Sequence, residues 1–366
     1  MKIKRIWSLA SLLLILALVM SILGCSSPAP SPKPSPAASP SPSPTAKPSP
    51  TASPSATVKP IVMKSYSHHP RSNAYTVELE RAMDLIKERS GGRITFDYYP
   101  ASSLYNMTTG SQALMNNLVQ VGTFKAGYFI DKFGLVGDIA NLPYNYTFEG
   151  FLAHYKDAGG FLDWAQPSYE KNGVLLLSYP LAESIGIISK KPIRKLEDMK
   201  GLLMRCVAGA AADGFKLLGA TPSLISAGEI YEALQRGTVD ASNTSIGSAL
   251  SDKMYEPAKY YTNAKYTTAG VELAMNLSTF KSLSPDLQKI VLDSFKEADT
   301  RFFTEAPGVV LDNIKQMQAK GVTFIDLDKA ELARWQAAIA PLYKTLETKY
   351  SNDWAKFAKI RDTMLN

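Results

Sequence analysis

From Ser26 to Ala56 the chain reads SSPAPSPKPSPAASPSPSPTAKPSPTASPSA, and this stretch constrains the molecule more than any other because it cannot fold. It offers almost no apolar side chain for burial, so the entropy of ordering goes uncompensated. Its closely spaced prolines favour polyproline II, a semi-rigid stalk of up to about 3.1 Å per residue. Any packed core must come from the residues beyond it, about 310 of the 366, enough for two lobes of ordinary size.

The segment before the stalk explains its presence. MKIKR carries three positive charges and leads into an apolar run from Ile6 to Leu23. That arrangement reads as a secretory signal over residues 1–24. Ile22-Leu23-Gly24-Cys25 followed by two serines resembles a bacterial lipobox, which implies lipidation of Cys25 and a mature N-terminus there. Residues 25–59 are then a lipid-bearing tether, and the expected location is the extracytoplasmic face of the cell membrane.

With the tether set aside, the charge balance changes meaning. Of 40 Lys and Arg, three lie in the signal and three in the stalk (Lys33, Lys47, Lys59), which leaves 34 against 33 acids. A nearly neutral folded part argues against a nucleic-acid partner. With Cys25 committed to lipid, Cys206 has no intramolecular partner, so the fold must be stable without a disulfide.

From residue 60 short apolar runs alternate with amphipathic stretches, which predicts an α/β protein. PIVMKSYS, ITFDYYP, GVLLLSY, SIGIIS, LLMRCV, VELAMNLS and VTFIDL read as strands, and VGTFKAGYF as a strand or turn. Asn73 is placed to cap a helix stopped by Gly91-Gly92, and SQALMNNLV reads as the next helix. Ser226 with Glu229 predicts a capping box for EIYEALQR, closed by Gly237. Ser284-Pro285 opens a helix toward Lys320, with a break or kink expected at Pro307-Gly308. Two more helices come after it, from Asp328 and around Trp354, Phe357 and Ile360.

Enzyme signatures are missing. There is no GxxxxGK[ST], GxSxG or HExxH. With three histidines and one uncommitted cysteine, neither a metal site nor a cofactor is expected. His68 and His69 come just after the first strand, as ligand-facing groups or as solvated loop residues.

Several segments together resemble the solute-binding proteins of TRAP (tripartite ATP-independent periplasmic) transporters. These are RSGGRITFDYYPASSLYN, ANLPY, KKPIRKLEDMKGLLMRCVAG, LGATPSLISAGEIYEALQRGTVDASN, DKMYEPAKYYT and FKSLSPDLQKIVLDSFKEA. Their order and spacing carry the resemblance over residues 61–350. It implies a two-lobed α/β fold of the periplasmic-binding-protein (Venus-flytrap) kind, with crossing strands and a long connecting helix. Lobe 1 would begin over 60–182, lobe 2 would occupy 183–270, and 271–310 would return to lobe 1 with the long helix. Helices over 311–366 would span both. The implied function is capture of a small organic anion, delivered to TRAP membrane subunits, without catalysis.

The resemblance assigns carboxylate binding to Arg205, whose planar guanidinium matches a carboxylate fork. A second arginine common in the family falls near Ile185 and is missing, and Ala227 stands where some members have an aromatic wall. Asn243 or Thr244 would supply a polar contact from lobe 2, and Tyr66 and Ser67 lie where a lobe 1 contact is placed. Lys125 has two readings, a partner for a second anionic group or a solvated lysine. A sensor lipoprotein, a receptor for a neutral ligand and a cell-surface enzyme stay open as alternatives.

Overall fold

The computed structural model describes residues 59–144, 147–154, 158–267 and 270–365. The signal, Cys25 and nearly all of the stalk therefore lie outside the described residues. The strands, in chain order, are β1 (Ile61–Tyr66), β2 (Ile94–Tyr99), β3 (Val121–Phe124), β4 (Val174–Ser178), β5 (Ile185–Ser189), β6 (Leu203–Cys206), β7 (Thr221–Leu224), β8 (Ala241–Thr244), β9 (Tyr260–Thr267), β10 (Glu272–Asn276) and β11 (Thr323–Asp326). They form two sheets, one in the order β2-β1-β3-β10-β4 and the other β11-β9-β5-β8-β6-β7. Each sheet with its covering helices is a lobe.

In the first sheet β1 runs parallel to β2 and β3, whereas β10 is antiparallel to β3 and β4. In the second, β6 runs parallel to β7 and β8, and β5 is antiparallel to β8 and β9. Parallel strands end on the same edge of their sheet, so β1 and β3 deliver the residues after them to one rim, and β6 and β8 to another. Ligands of open α/β sheets bind outside such carboxyl ends. The chain crosses between lobes after β4 and returns after β9.

Two helical pieces tie the lobes. The helix Pro285–Ala319 lays Leu287, Val291, Phe295 and Phe302 on the lobe 1 core beside Leu79 and Met83. Further along, Met317 joins the lobe 2 core with Ile246 and Ala249. Trp335, Ile339, Leu342 and Leu346 of the helix Lys329–Lys349 enter a cluster that contains both Phe161 of lobe 1 and Phe215 of lobe 2.

The cap expected at Asn73 is present, its side chain accepting from Tyr75 N at 3.0 Å, and the helix expected near Asp328 begins there, with Asp328 accepting from Glu331 N at 2.8 Å. Two expectations are corrected. Ser226 makes no side-chain cap, because a 3-10 turn over Ala227–Glu229 separates it from the helix Ile230–Arg236. The helix Pro285–Ala319 also runs unbroken through Pro307. Pro307 lies on an exposed turn, where water can take up the hydrogen bond it disrupts, and a core anchors the helix on either side. Asn106 and Asn276 also cap helices, accepting from Thr109 N and Thr279 N, a role their sequence context did not suggest.

Candidate functional site

Where the strand ends of the two lobes face each other lies a cavity of about 100 Å³. Lys125, Arg205, Asn243 and Thr244 all line it, so residues more than a hundred positions apart meet in one small space. Ile185 and Ala227 line it too, which puts the missing second arginine and the missing aromatic wall at the cavity surface.

Arg205 is 5% exposed and sits near the end of β6. Its Nε donates to Ile225 O at 2.8 Å and one terminal nitrogen to Tyr128 Oη at 3.2 Å. Tyr128 belongs to lobe 1, so this second bond crosses the cleft. Among the described residues no carboxylate pairs with Arg205. A buried cation without a counterion is costly unless an anion joins it. These two bonds fix the plane of the guanidinium, leaving its other donors for a ligand.

Lys125 comes directly after β3 and is also buried, but it has a partner. Its Nζ donates to Gly270 O at 3.0 Å and lies 3.8 Å from Glu272 Oε1. Glu272 Oε2 accepts from Ala126 N at 2.6 Å. Burial lowers the Lys125 pKa, against the pull of Glu272. Burial raises the Glu272 carboxyl to about 7, opposed by Lys125 and by the Ala126 amide. The reading of Lys125 as a solvated lysine is corrected, since it is 7% exposed and walled in by lobe 1.

His68 and His69 also line the cavity and are buried, so they are not solvated loop residues. His68 Nδ1 lies 3.0 Å from Thr123 Oγ1. Burial, then the electrostatic influence of His69, Lys125 and Arg205, pushes its pKa well below the usual imidazole value and keeps it neutral. His69 reaches across to lobe 2, with Nδ1 3.2 Å from Asp252 Oδ2 and Nε2 3.3 Å from Ser248 Oγ. Asn73 Nδ2 donates to Ser251 Oγ at 3.1 Å beside them.

Tyr66 and Ser67 do not reach the cavity, which corrects the placement of a ligand contact there. The Tyr66 ring fills a slot walled by Gly110 and Gly122, where a Cβ on either glycine would run into it, and its hydroxyl donates to Thr123 O. Ser67 Oγ is 2.7 Å from Thr76 Oγ1 inside lobe 1. The cavity wall passes to His68 and His69 instead.

Asn141 and Glu272 carry no assignment from the sequence, whereas Asn243 does. Asn141 Nδ2 and Asn243 Oδ1 are buried without a hydrogen-bond partner among the described residues, and both residues line the cavity. Polar groups in that state call for a ligand or water. Asn141 sits inside the ANLPY segment, and Glu272 is the one charged residue of the strand Glu272–Asn276, a signal in itself. Among the described residues no cluster suited to a metal ion occurs, and no helix is long and apolar enough to cross a membrane.

Two α/β lobes closing over a cavity with a single unpaired guanidinium among the described residues define a solute-binding protein. The chain belongs to the bacterial extracellular solute-binding proteins of family 7, whose model matches residues 66–349. It is 26% identical over 277 residues to the C4-dicarboxylate-binding protein DctB of Bacillus subtilis, covering 74% of this chain and 77% of that one. The 2,3-diketo-L-gulonate-binding periplasmic protein YiaO of Escherichia coli is 23% identical over 263 residues, 70% of this chain and 79% of that one. A TRAP periplasmic solute-binding protein from Sulfitobacter with bound β-D-galacturonate superposes with a TM-score of 0.77 at 20% identity, covering 82% of this chain and 100% of that one. One from Shewanella oneidensis with bound succinate gives 0.76 at 18% identity, covering 83% and 100%.

Proposed function

We propose that this protein is an extracytoplasmic receptor that captures a small organic anion between its lobes and delivers it to the membrane subunits of a TRAP-type transporter. It holds no catalytic role in this reading. Lipid on Cys25 would tether it to the membrane after removal of residues 1–24, with the stalk as spacer. Lobe 1 would comprise 60–182 and 271–310, lobe 2 183–270, and the helices of 311–366 would brace both.

The observation that carries the reading is Arg205, a buried guanidinium with no counterion among the described residues, held flat by Ile225 O and Tyr128 Oη. A carboxylate entering the cleft would complete its hydrogen bonds, a charge-assisted gain of about 1.5–3 kcal/mol. Because Tyr128 stands on the opposite lobe, the same carboxylate would favour the closed state, as differential contacts require. The relatives whose names or bound ligands are acids support the ligand class.

The test is a thermal-shift screen of carboxylates followed by calorimetry, since a ligand of the folded state raises the melting temperature by mass action. Arg205→Lys should weaken the best ligand at least tenfold, because a point charge replaces a fork. Unchanged affinity in that variant would remove Arg205 from the site. Failure of every acid to bind would remove the anion reading.

A further inference from the structure

The number of positive charges that the cavity has to spare is countable, and the count restricts the ligand. Lys125 and Glu272 form one buried unit 3.8 Å apart, which is neutral overall whether both are ionised or neither is. Asp252 brings a negative charge to the rim, and a proton on His69 at most cancels it. His68 is a neutral imidazole held at Thr123. Only Arg205 is left, so among the described residues the cavity has one uncompensated positive charge as long as Glu272 is ionised. The other unsatisfied groups, Asn141 Nδ2 and Asn243 Oδ1, are neutral donors or acceptors.

Resting on the reading of an organic-anion receptor, we propose that this cavity selects a monoanion, with one carboxylate on Arg205 and neutral hydrogen-bonding groups toward Asn141 and Asn243. Glu272 is the specificity determinant. By neutralising Lys125 from behind, it withdraws the cation that would otherwise hold a second carboxylate. A dicarboxylate would have to bury its second charge unpaired or compete with Glu272 for Lys125, and both are unfavourable. The dicarboxylate in the name of the Bacillus relative therefore does not carry over to this chain.

Matched pairs isolate charge from shape. Calorimetry at pH 8 would compare succinate with succinamate and galactarate with its monoamide on the folded chain. In the pair that fits, the monoacid should bind at least tenfold more tightly than the diacid. Glu272→Gln should narrow that ratio at least tenfold by freeing Lys125. Diacids binding as tightly as their monoacid partners in the unchanged protein would overturn the inference while leaving the anion receptor standing. An unaltered ratio in Glu272→Gln would remove Glu272 as its cause. If none of the four binds, the best acid of the carboxylate screen and its diacid counterpart take their place, and failure of every acid would sink the anion reading and this inference with it. The comparison in the unchanged protein holds whether or not the exchanged chain folds.

Discussion

Arg205 and Lys125 are both buried cations on the same cavity, yet they differ in what stands behind them. Arg205 is met by a carbonyl and a phenol, which orient it without neutralising it. Lys125 is met by a carboxylate on β10. This difference makes the site sensitive to pH. Glu272 titrates at about 7 because burial penalises its charged form, with Lys125 opposing and the hydroxyl of Tyr169 also lowering it. Below that value Glu272 is protonated, Lys125 is released, and the cavity gains one positive charge beside His68 and Arg205. Above it the unit is neutral again. Lowering the pH from 8 to 6 should therefore raise the affinity for galactarate relative to its monoamide, and Glu272→Gln should abolish that dependence. Calorimetry at the two pH values checks this, and a ratio that moves the other way would contradict the assignment.

Among the elements, the helix Pro285–Ala319 is the most informative, because its local sequence argues against its length. Proline disrupts the hydrogen-bond ladder and glycine costs backbone entropy. Both are tolerated at Pro307-Gly308 because the helix is clamped at each end by a different core. Gly308 lies within the helix, and a Cβ added there would meet no neighbouring atom within 4 Å. Gly308→Ala should therefore stabilise the protein by about 0.5–1 kcal/mol. Urea denaturation would show this as a higher midpoint, and a lower midpoint would mean that the turn must bend.

For the whole molecule, the cleft is closed by direct contacts between lobes: Arg205 to Tyr128, His69 to Asp252 and Ser248, and Asn73 to Ser251. A shared apolar base containing Phe161, Phe215 and Trp335 lies under both lobes. Residues 57–366 form a compact unit of their own. A chain beginning at Thr57 should therefore fold and bind its acid with the affinity of the longer protein, as thermal melts and calorimetry would reveal. Loss of folding would show that the stalk contributes to the core.

The sequence by itself determined the elements and the class of protein. Alternating apolar runs, a cap at Asn73, a helix start near Asp328, and six motifs in order pointed to two α/β lobes, and Arg205 emerged from one of those motifs. Such signals are local, resting on periodicity and on side chains that bond within a few residues of their own backbone. Only the tertiary structure decided what Lys125 does, because its partner Glu272 lies far along the chain on a strand that returns from the other lobe. It likewise decided that Tyr66 fills a glycine-lined slot while His68 and His69 take the cavity wall. Charge pairing and packing between distant segments depend on strand order across the sheet, and no local pattern of residues encodes that order.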